Sequence, residues 1–234
     1  MLTKLKILMI LTSSATMGDT PEPTGLWFEE LATPYYAFVD ADVSVTLASI
    51  AGGPAPIAPR SVKPKGENGA SVERFLGDEA ASASLRATIL IEQIDMSDYD
   101  AVFLPGGHGT MWDLPQSNVL AALLGKAWAS GKVIAAVCHG PAGLVNVTDE
   151  TGAPLVKGRR VTGFSDSEER AVGLAEAVPF LLEARLRDLG GRYESVADFQ
   201  PFAIADGRLV TGQNPASSAL TAKLTIEALA ASVR

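Results

Sequence analysis

Apolar residues gather in short runs along the chain, at 7–11, 43–47, 101–104, 133–137 and 208–211, with Gly, Pro, Ser and Asp around them. Runs this short, with little polar alternation, predict strands buried on both faces, as in a parallel sheet. Between them apolar positions recur at helical spacing: Trp27, Leu31 and Phe38, then Val119, Leu120, Leu123, Leu124, Ala127 and Trp128, closing at Ser130-Gly131, and finally Leu220, Leu224 and Leu229. Asn214-Pro215 supplies the last helix with an N-cap and a proline at its first position. Strands alternating with helices predict an α/β fold, a doubly wound and mostly parallel sheet with helices on both faces, built as one domain over residues 1–234.

The pattern loosens in three places. Residues 52–98 carry Gly-Gly-Pro-Ala-Pro and Pro-Lys-Gly-Glu-Asn-Gly in quick succession and read as a surface excursion, because the strand pattern resumes at Ala101. Residues 148–163 read as a turn-rich insertion with the makings of a β-hairpin. Pro179 interrupts the stretch 170–191, so two short helices are expected there, the second opening near the proline. The start of the chain, with Lys4 and Lys6 before an apolar run, imitates a secretory signal. The run at 7–11 is short for a signal core and suits a buried strand.

Composition narrows the function classes. Acidic residues outnumber basic ones by eight, 27 against 19, and no Lys/Arg cluster makes a basic face, so nucleic acid is not an expected partner. No run approaches the length of a membrane span. A single cysteine, Cys138, can form no internal disulfide, and the two histidines are too few for a structural zinc site, which points to a reducing, cytoplasmic compartment.

That cysteine lies in AAVCHGPAGL, residues 135–144. A lone cysteine is usually a small buried hydrophobe. Here an apolar strand runs directly into it, and His139-Gly140-Pro141 opens a helix, which is the order of a nucleophile elbow. Such a turn needs small residues two before and two after the nucleophile, and Ala136 and Gly140 meet that need. A helix N-terminus also favours thiolate over thiol.

Two further segments carry candidate chemistry. FLPGGHGT, residues 103–110, follows a strand, and Gly106-Gly107 would let backbone N–H groups approach a developing negative charge. His108 reads first as a loop residue orienting that turn and second as a participant in the chemistry. In TGLWFEEL, residues 24–31, Glu29 and Glu30 ordinarily complement a helix dipole. If one of them is buried beside Cys138, its pKa rises and the protonated acid can donate a hydrogen bond to the thiolate.

Together, LWFEEL, LPGGHGT, AAVCHGPAGL, VTGFSDSEE and DGRLVTGQNPAS resemble the ThiJ/PfpI superfamily, with its flavodoxin-like, class I glutamine amidotransferase-like fold. Within it the chain is similar to the branch of heat-shock chaperones and glutathione-independent glyoxalases (glyoxalase III). The resemblance implies Cys138 as nucleophile, His139 as its base and Glu30 as the acid beside the thiol. It also implies the backbone N–H groups of Gly107 and His139 as oxyanion donors, with Trp27, Gly106 and His108 around the substrate. A downstream acid orients the histidine; counting from Thr162 puts it at Glu169, with Glu168 as the alternative. Capping chemistry accepts either register, since both Asp166/Glu169 and Ser165/Glu168 have capping-box spacing. No histidine follows His139, whereas glutamine amidotransferases proper and α/β-hydrolases place theirs after the nucleophile, so a triad here must use His139 or, less directly, His108.

The implied activity is a lyase-type conversion of a small reactive carbonyl such as methylglyoxal or glyoxal to a 2-hydroxy acid, through a hemithioacetal on Cys138, with protein deglycase activity as an extension. It calls for no metal, nucleotide or other cofactor. The alternatives carried by the same resemblance are a stress-response holdase for unfolded proteins with Cys138 as redox sensor, and a cysteine hydrolase or peptidase. A homodimer is a family-level expectation. Trp27, Phe28 and Trp112 are expected in core packing first and in the pocket wall second.

Overall fold

A computed structural model describes residues 4–232 of the chain. Seven strands form one sheet: β1 (Lys6–Leu11), β2 (Ser44–Ser49), β3 (Ile89–Leu90), β4 (Ala101–Leu104), β5 (Val133–Val137), β8 (Ala203–Asp206) and β9 (Leu209–Gly212), in the order β3-β2-β1-β4-β5-β9-β8. All pairings are parallel except β8 with β9, an antiparallel hairpin at one edge. The second sheet is a parallel pair, β6 (Arg160–Val161) with β7 (Arg192–Tyr193).

The apolar runs at 7–11, 101–104 and 133–137 are buried along their whole length, as strands covered on both faces must be. Alternation by two divides them between the faces. Ile7, Met9, Leu11, Phe103, Ala135 and Val137 meet α1 (Phe28–Asp40), α2 (Ala70–Gly77), α3 (Glu79–Arg86) and α8 (Ser218–Ser232). Leu8, Ile10, Val102, Leu104, Ile134 and Ala136 meet α5 (Asn118–Ala129) and α7 (Leu182–Asp188). Two short helices, α4 (Thr110–Asp113) and α6 (Asp166–Ala171), follow strand-end loops on the functional side. The two long helices read from spacing end as expected: Ser117 caps α5 by accepting a hydrogen bond from the Leu120 N–H, and Gly131 turns left-handed after it at φ 77°. Asn214 caps a 3₁₀ turn, Pro215–Ser217, that feeds straight into α8.

Four local expectations change. Residues 52–98 are not merely a surface excursion, because α2 and α3 drive Val72, Phe75, Ala81 and Leu85 into the core, where Phe75 packs edge-on against Phe28 at 5.3 Å. Residues 148–163 make no β-hairpin. A single bridge, Thr148 to Pro154, closes a turn that Asp149 caps, and β6 then pairs with the distant β7. Around Pro179 the chain runs as turns from the end of α6 until α7 opens at Leu182, so the expected second helix forms just after the proline and the first is absent. The helix after Cys138 is a five-residue 3₁₀ helix, Gly140–Leu144, not an α-helix. Lys6–Leu11, the run that imitates a signal, is β1, an interior strand between β2 and β4; Met1, Leu2 and Thr3 lie outside the described residues. Among the described residues no helix is long and apolar enough to cross a membrane.

Candidate active site

The site lies at the carboxyl ends of β4 and β5, beside the point where β1 hands over from β2 to β4 and the winding reverses, where open α/β sheets leave a crevice. Cys138, the residue after β5, has φ 60°, a left-handed conformation that costs a non-glycine residue roughly 1–2 kcal/mol. Two backbone hydrogen bonds hold it there: its N–H donates to Gly212 O at 2.9 Å, and its carbonyl accepts from Phe164 N–H at 2.8 Å. The turn closes only because Gly140 has no side chain, since a Cβ there would lie 2.2 Å from Leu104 O.

On one side of the thiol, α1 begins with Trp27 as N-cap and carries Glu30 on its buried face, fully enclosed. Glu30 Oε2 accepts the Gly106 N–H at 2.8 Å. Its Oε1 is buried without a hydrogen-bond partner, and the carboxyl is the acidic neighbour of the Cys138 thiol. Burial lifts the Glu30 carboxyl to about 8, against the pull of the thiol and the Gly106 N–H, so the group is protonated at neutral pH. Gly106 and Gly107 permit this close approach: a Cβ on Gly106 would sit 2.6 Å from Glu30 Oε2, and one on Gly107 would sit 2.4 Å from Trp27 N. The Gly107 N–H approaches the Cys138 sulfur. Among the described residues, neither that N–H nor the one of His139 has a backbone carbonyl partner.

On the other side, His139 Nδ1 lies 3.3 Å from Cys138 Sγ and His139 Nε2 lies 2.7 Å from Glu169 Oε2. The two candidate glutamates separate cleanly. Ser165 is the N-cap of α6 and forms a capping box with Glu168, whose Oε2 accepts the Ser165 N–H at 2.9 Å. Glu168 Oε1 also accepts from Phe199 N–H and Asn214 Nδ2, each at 2.8 Å. Glu169, the next residue, faces the histidine. Sequence reasoning missed its second partner: Glu169 Oε1 lies 2.8 Å from His108 Nε2, and the two imidazole rings stand 4.1 Å apart.

Burial alone would raise the Glu169 carboxyl, but hydrogen bonds from His108 and His139, with their charge, hold it at about 2. Burial, and then the neighbouring His108, push the His139 imidazole down to about 4 despite Glu169. Burial first, then the charge of Glu30, pushes the Cys138 thiol well up. The dipole-lowered thiolate expected from sequence is therefore not the resting state. A five-residue 3₁₀ helix offers little dipole, and a cysteine only 3% exposed has lost the water that would solvate the anion.

His108, His139 and Glu169 offer ligand atoms within 4.8 Å of one another, the composition of a small metal site. In this structure each carboxylate oxygen of Glu169 has an imidazole nitrogen at hydrogen-bond distance, His108 Nε2 at 2.8 Å and His139 Nε2 at 2.7 Å.

Above the thiol lies a cavity of about 190 Å³ lined by Trp27, Gly107, His108, Cys138 and His139, with Arg60, Phe164, Val172, Phe199 and Pro215 completing the wall. Of the expected aromatics, Trp27 is in this wall, Phe28 is core, and Trp112 lines a different hollow near Ser13. Arg60, Val172 and Phe199 were not foreseen; they come from loops and a helix end with no motif of their own.

A sequence model of the DJ-1/PfpI family matches residues 28–228. The chain belongs to the DJ-1/PfpI family. Glyoxalase 3 of Candida albicans is 32% identical over 232 residues, covering 96% of this chain and 98% of that protein. The glutathione-independent glyoxalase HSP31 of Saccharomyces cerevisiae is 38% identical over 144 residues, an alignment spanning 61% of that protein and 59% of this chain. The crystal structure of glyoxalase III from Candida albicans superposes with a TM-score of 0.86 at 32% identity, covering 96% of this chain and 97% of that one.

Proposed function

We propose that this member of the DJ-1/PfpI family is a glutathione-independent glyoxalase that converts a small 2-oxoaldehyde, such as methylglyoxal, to the 2-hydroxy acid. The observation that carries the reading is the geometry around Cys138: a buried thiol with His139 Nδ1 at 3.3 Å from its sulfur, Glu169 behind that imidazole at 2.7 Å and the enclosed Glu30 carboxyl beside the sulfur, in one small, largely apolar cavity. The names of its relatives support the same reading.

As sulfur adds to the aldehyde carbon, His139 Nδ1 takes the thiol proton, and Glu30 donates to the sulfur while negative charge passes to the aldehyde oxygen. The Gly107 and His139 N–H groups receive that oxyanion, which His139 then protonates to give the hemithioacetal. His139, neutral again, removes the C1 hydrogen as the C2 oxygen gains a proton, forming an enediol. Return of a proton to C2 and loss of the C1 hydroxyl proton leave a thioester of the 2-hydroxy acid. Water cleaves it, so methylglyoxal plus water gives lactic acid with no oxidant or reductant. The Glu169 carboxylate keeps its charge throughout and stabilises the imidazolium whenever His139 holds two protons. A free Cys138 suits a reducing, cytoplasmic setting.

The test is lactate formation from methylglyoxal without glutathione, by the wild type and by Cys138→Ala. Lactate from the wild type alone is the expected result; no lactate from the wild type overturns the reading.

A further inference from the structure

The Glu169 carboxylate fixes the tautomer of two histidines. An ionised carboxylate only accepts hydrogen bonds, so both imidazole nitrogens on it, His139 Nε2 at 2.7 Å and His108 Nε2 at 2.8 Å, must carry the proton. With Nε2 carrying that proton, the neutral form of either ring has its lone pair on Nδ1. His139 spends its Nδ1 on the Cys138 sulfur at 3.3 Å. Among the described residues His108 Nδ1 has no protein partner, yet the ring lines the cavity and its side chain keeps 14% exposure. The cavity thus has two imidazole bases held by one acid, one turned to sulfur and one left over.

We propose that His108 is the general base that activates water in the hydrolysis of the Cys138 thioester, an inference that rests on the glyoxalase reading. Hydrolysis needs a proton removed from water as its oxygen adds to the carbonyl carbon, and a proton delivered to sulfur as the C–S bond breaks. His139 is positioned for the second task. His108 Nδ1 takes the first proton as the water oxygen bonds to the carbonyl carbon, and the Gly107 and His139 N–H groups hold the oxyanion. The carbonyl then re-forms and the C–S bond breaks with its electron pair going to sulfur. The remaining hydroxyl proton of the new carboxyl group passes through His139 Nδ1 to sulfur, and His108 releases its proton to solvent. The balance is thioester plus water to carboxylate, thiol and one proton.

His108→Gln tests this, because glutamine keeps an N–H for Glu169 and has no basic nitrogen. If only deacylation is slowed, kcat and KM for methylglyoxal fall together by about 100-fold, while kcat/KM stays within about 3-fold of wild type. The protein sampled during turnover then carries an acyl group that hydroxylamine releases as the 2-hydroxy hydroxamate. In His108→Ala, added imidazole restores turnover and clears the acyl group. A proportional fall of kcat/KM with no hydroxamate, or an unchanged kcat, overturns the role of His108 while leaving the glyoxalase reading intact. Absence of lactate from the wild type overturns both.

Discussion

The pocket has two sides around Cys138, each built on a buried glutamate. On the α1 side Glu30 has a single N–H donor, from Gly106, and its carboxyl is pushed up to about 8. On the α6 side Glu169 has two imidazole N–H donors and is held at about 2. Both side chains are enclosed, but Glu30 is the more deeply desolvated and has the fewer donors, whereas Glu169 has two imidazole partners and their charge. One buried carboxyl is held protonated and the other ionised, and the proposed acid and base roles rest on that difference of environment.

Removing what lies between the two sides has the largest expected effect. Cys138→Ala should lower kcat for lactate formation by on the order of 10⁴-fold or more, as loss of the nucleophile does in a catalytic triad. On the anionic side, Glu169→Gln should lower kcat by roughly 10³–10⁴-fold, measured in the same assay, because His139 loses its tautomer and its counter-ion. Its neighbour breaks the symmetry: Glu168→Gln disturbs a capping box and the bonds to Phe199 and Asn214, and should cost about 1–3 kcal/mol in chemical denaturation with a smaller effect on kcat.

On the protonated side, Glu30→Gln keeps a neutral side chain but loses the acidic donor, and should lower kcat by about 100-fold. The wild type should lose activity as pH rises through about 8, where Glu30 ionises, and the variant should not show that limb. Stability gives a second readout. The Glu30 pKa is raised from 4.5 to about 8, so its contribution is fully present below pH 4.5 and is lost as pH rises toward 8. The Glu169 pKa is lowered to about 2, so its contribution is present above pH 4.5 and is lost as pH falls toward 2. Unfolding free energies against pH should therefore shift relative to wild type on the alkaline side for Glu30→Gln and on the acid side for Glu169→Gln. The smallest effect is expected at the rim: Phe199→Ala should raise KM for a bulky 2-oxoaldehyde such as phenylglyoxal by about 5-fold, with kcat nearly unchanged, since only a fraction of pocket contact is lost.

Much of this arrangement is legible in the sequence. The runs at 7–11, 101–104 and 133–137 become the centre of the sheet because strands covered on both faces need unbroken apolar residues. Ala136 and Gly140 mark the elbow because its closure leaves no room for a side chain. Other features leave no such trace. The edge strand β8 has only one fully buried residue, Ile204, so its burial signal is faint. Residues 148–163 hold turn signals that do not reveal β6 pairing with a partner some thirty residues away. The separation of Glu168 from Glu169 becomes visible only once Ser165 is known to be the cap. His108 reads as a loop residue because its partner, 61 positions on, is brought to it by the fold.

Phe199 is left-handed at φ 60°, and its N–H is held by Glu168, the residue next to Glu169 on the first turn of α6. One helical turn therefore serves both as hinge pin for the rim and as anchor for the base. On the proposed reading, substitutions that loosen that turn change substrate range and turnover together, whereas Arg60, on a separate 3₁₀ turn (Pro59–Ser61) of the same wall, has no contact through α6 with His139. A designer or a lineage seeking a new substrate has freedom on the Arg60 side of the pocket and is constrained on the α6 side.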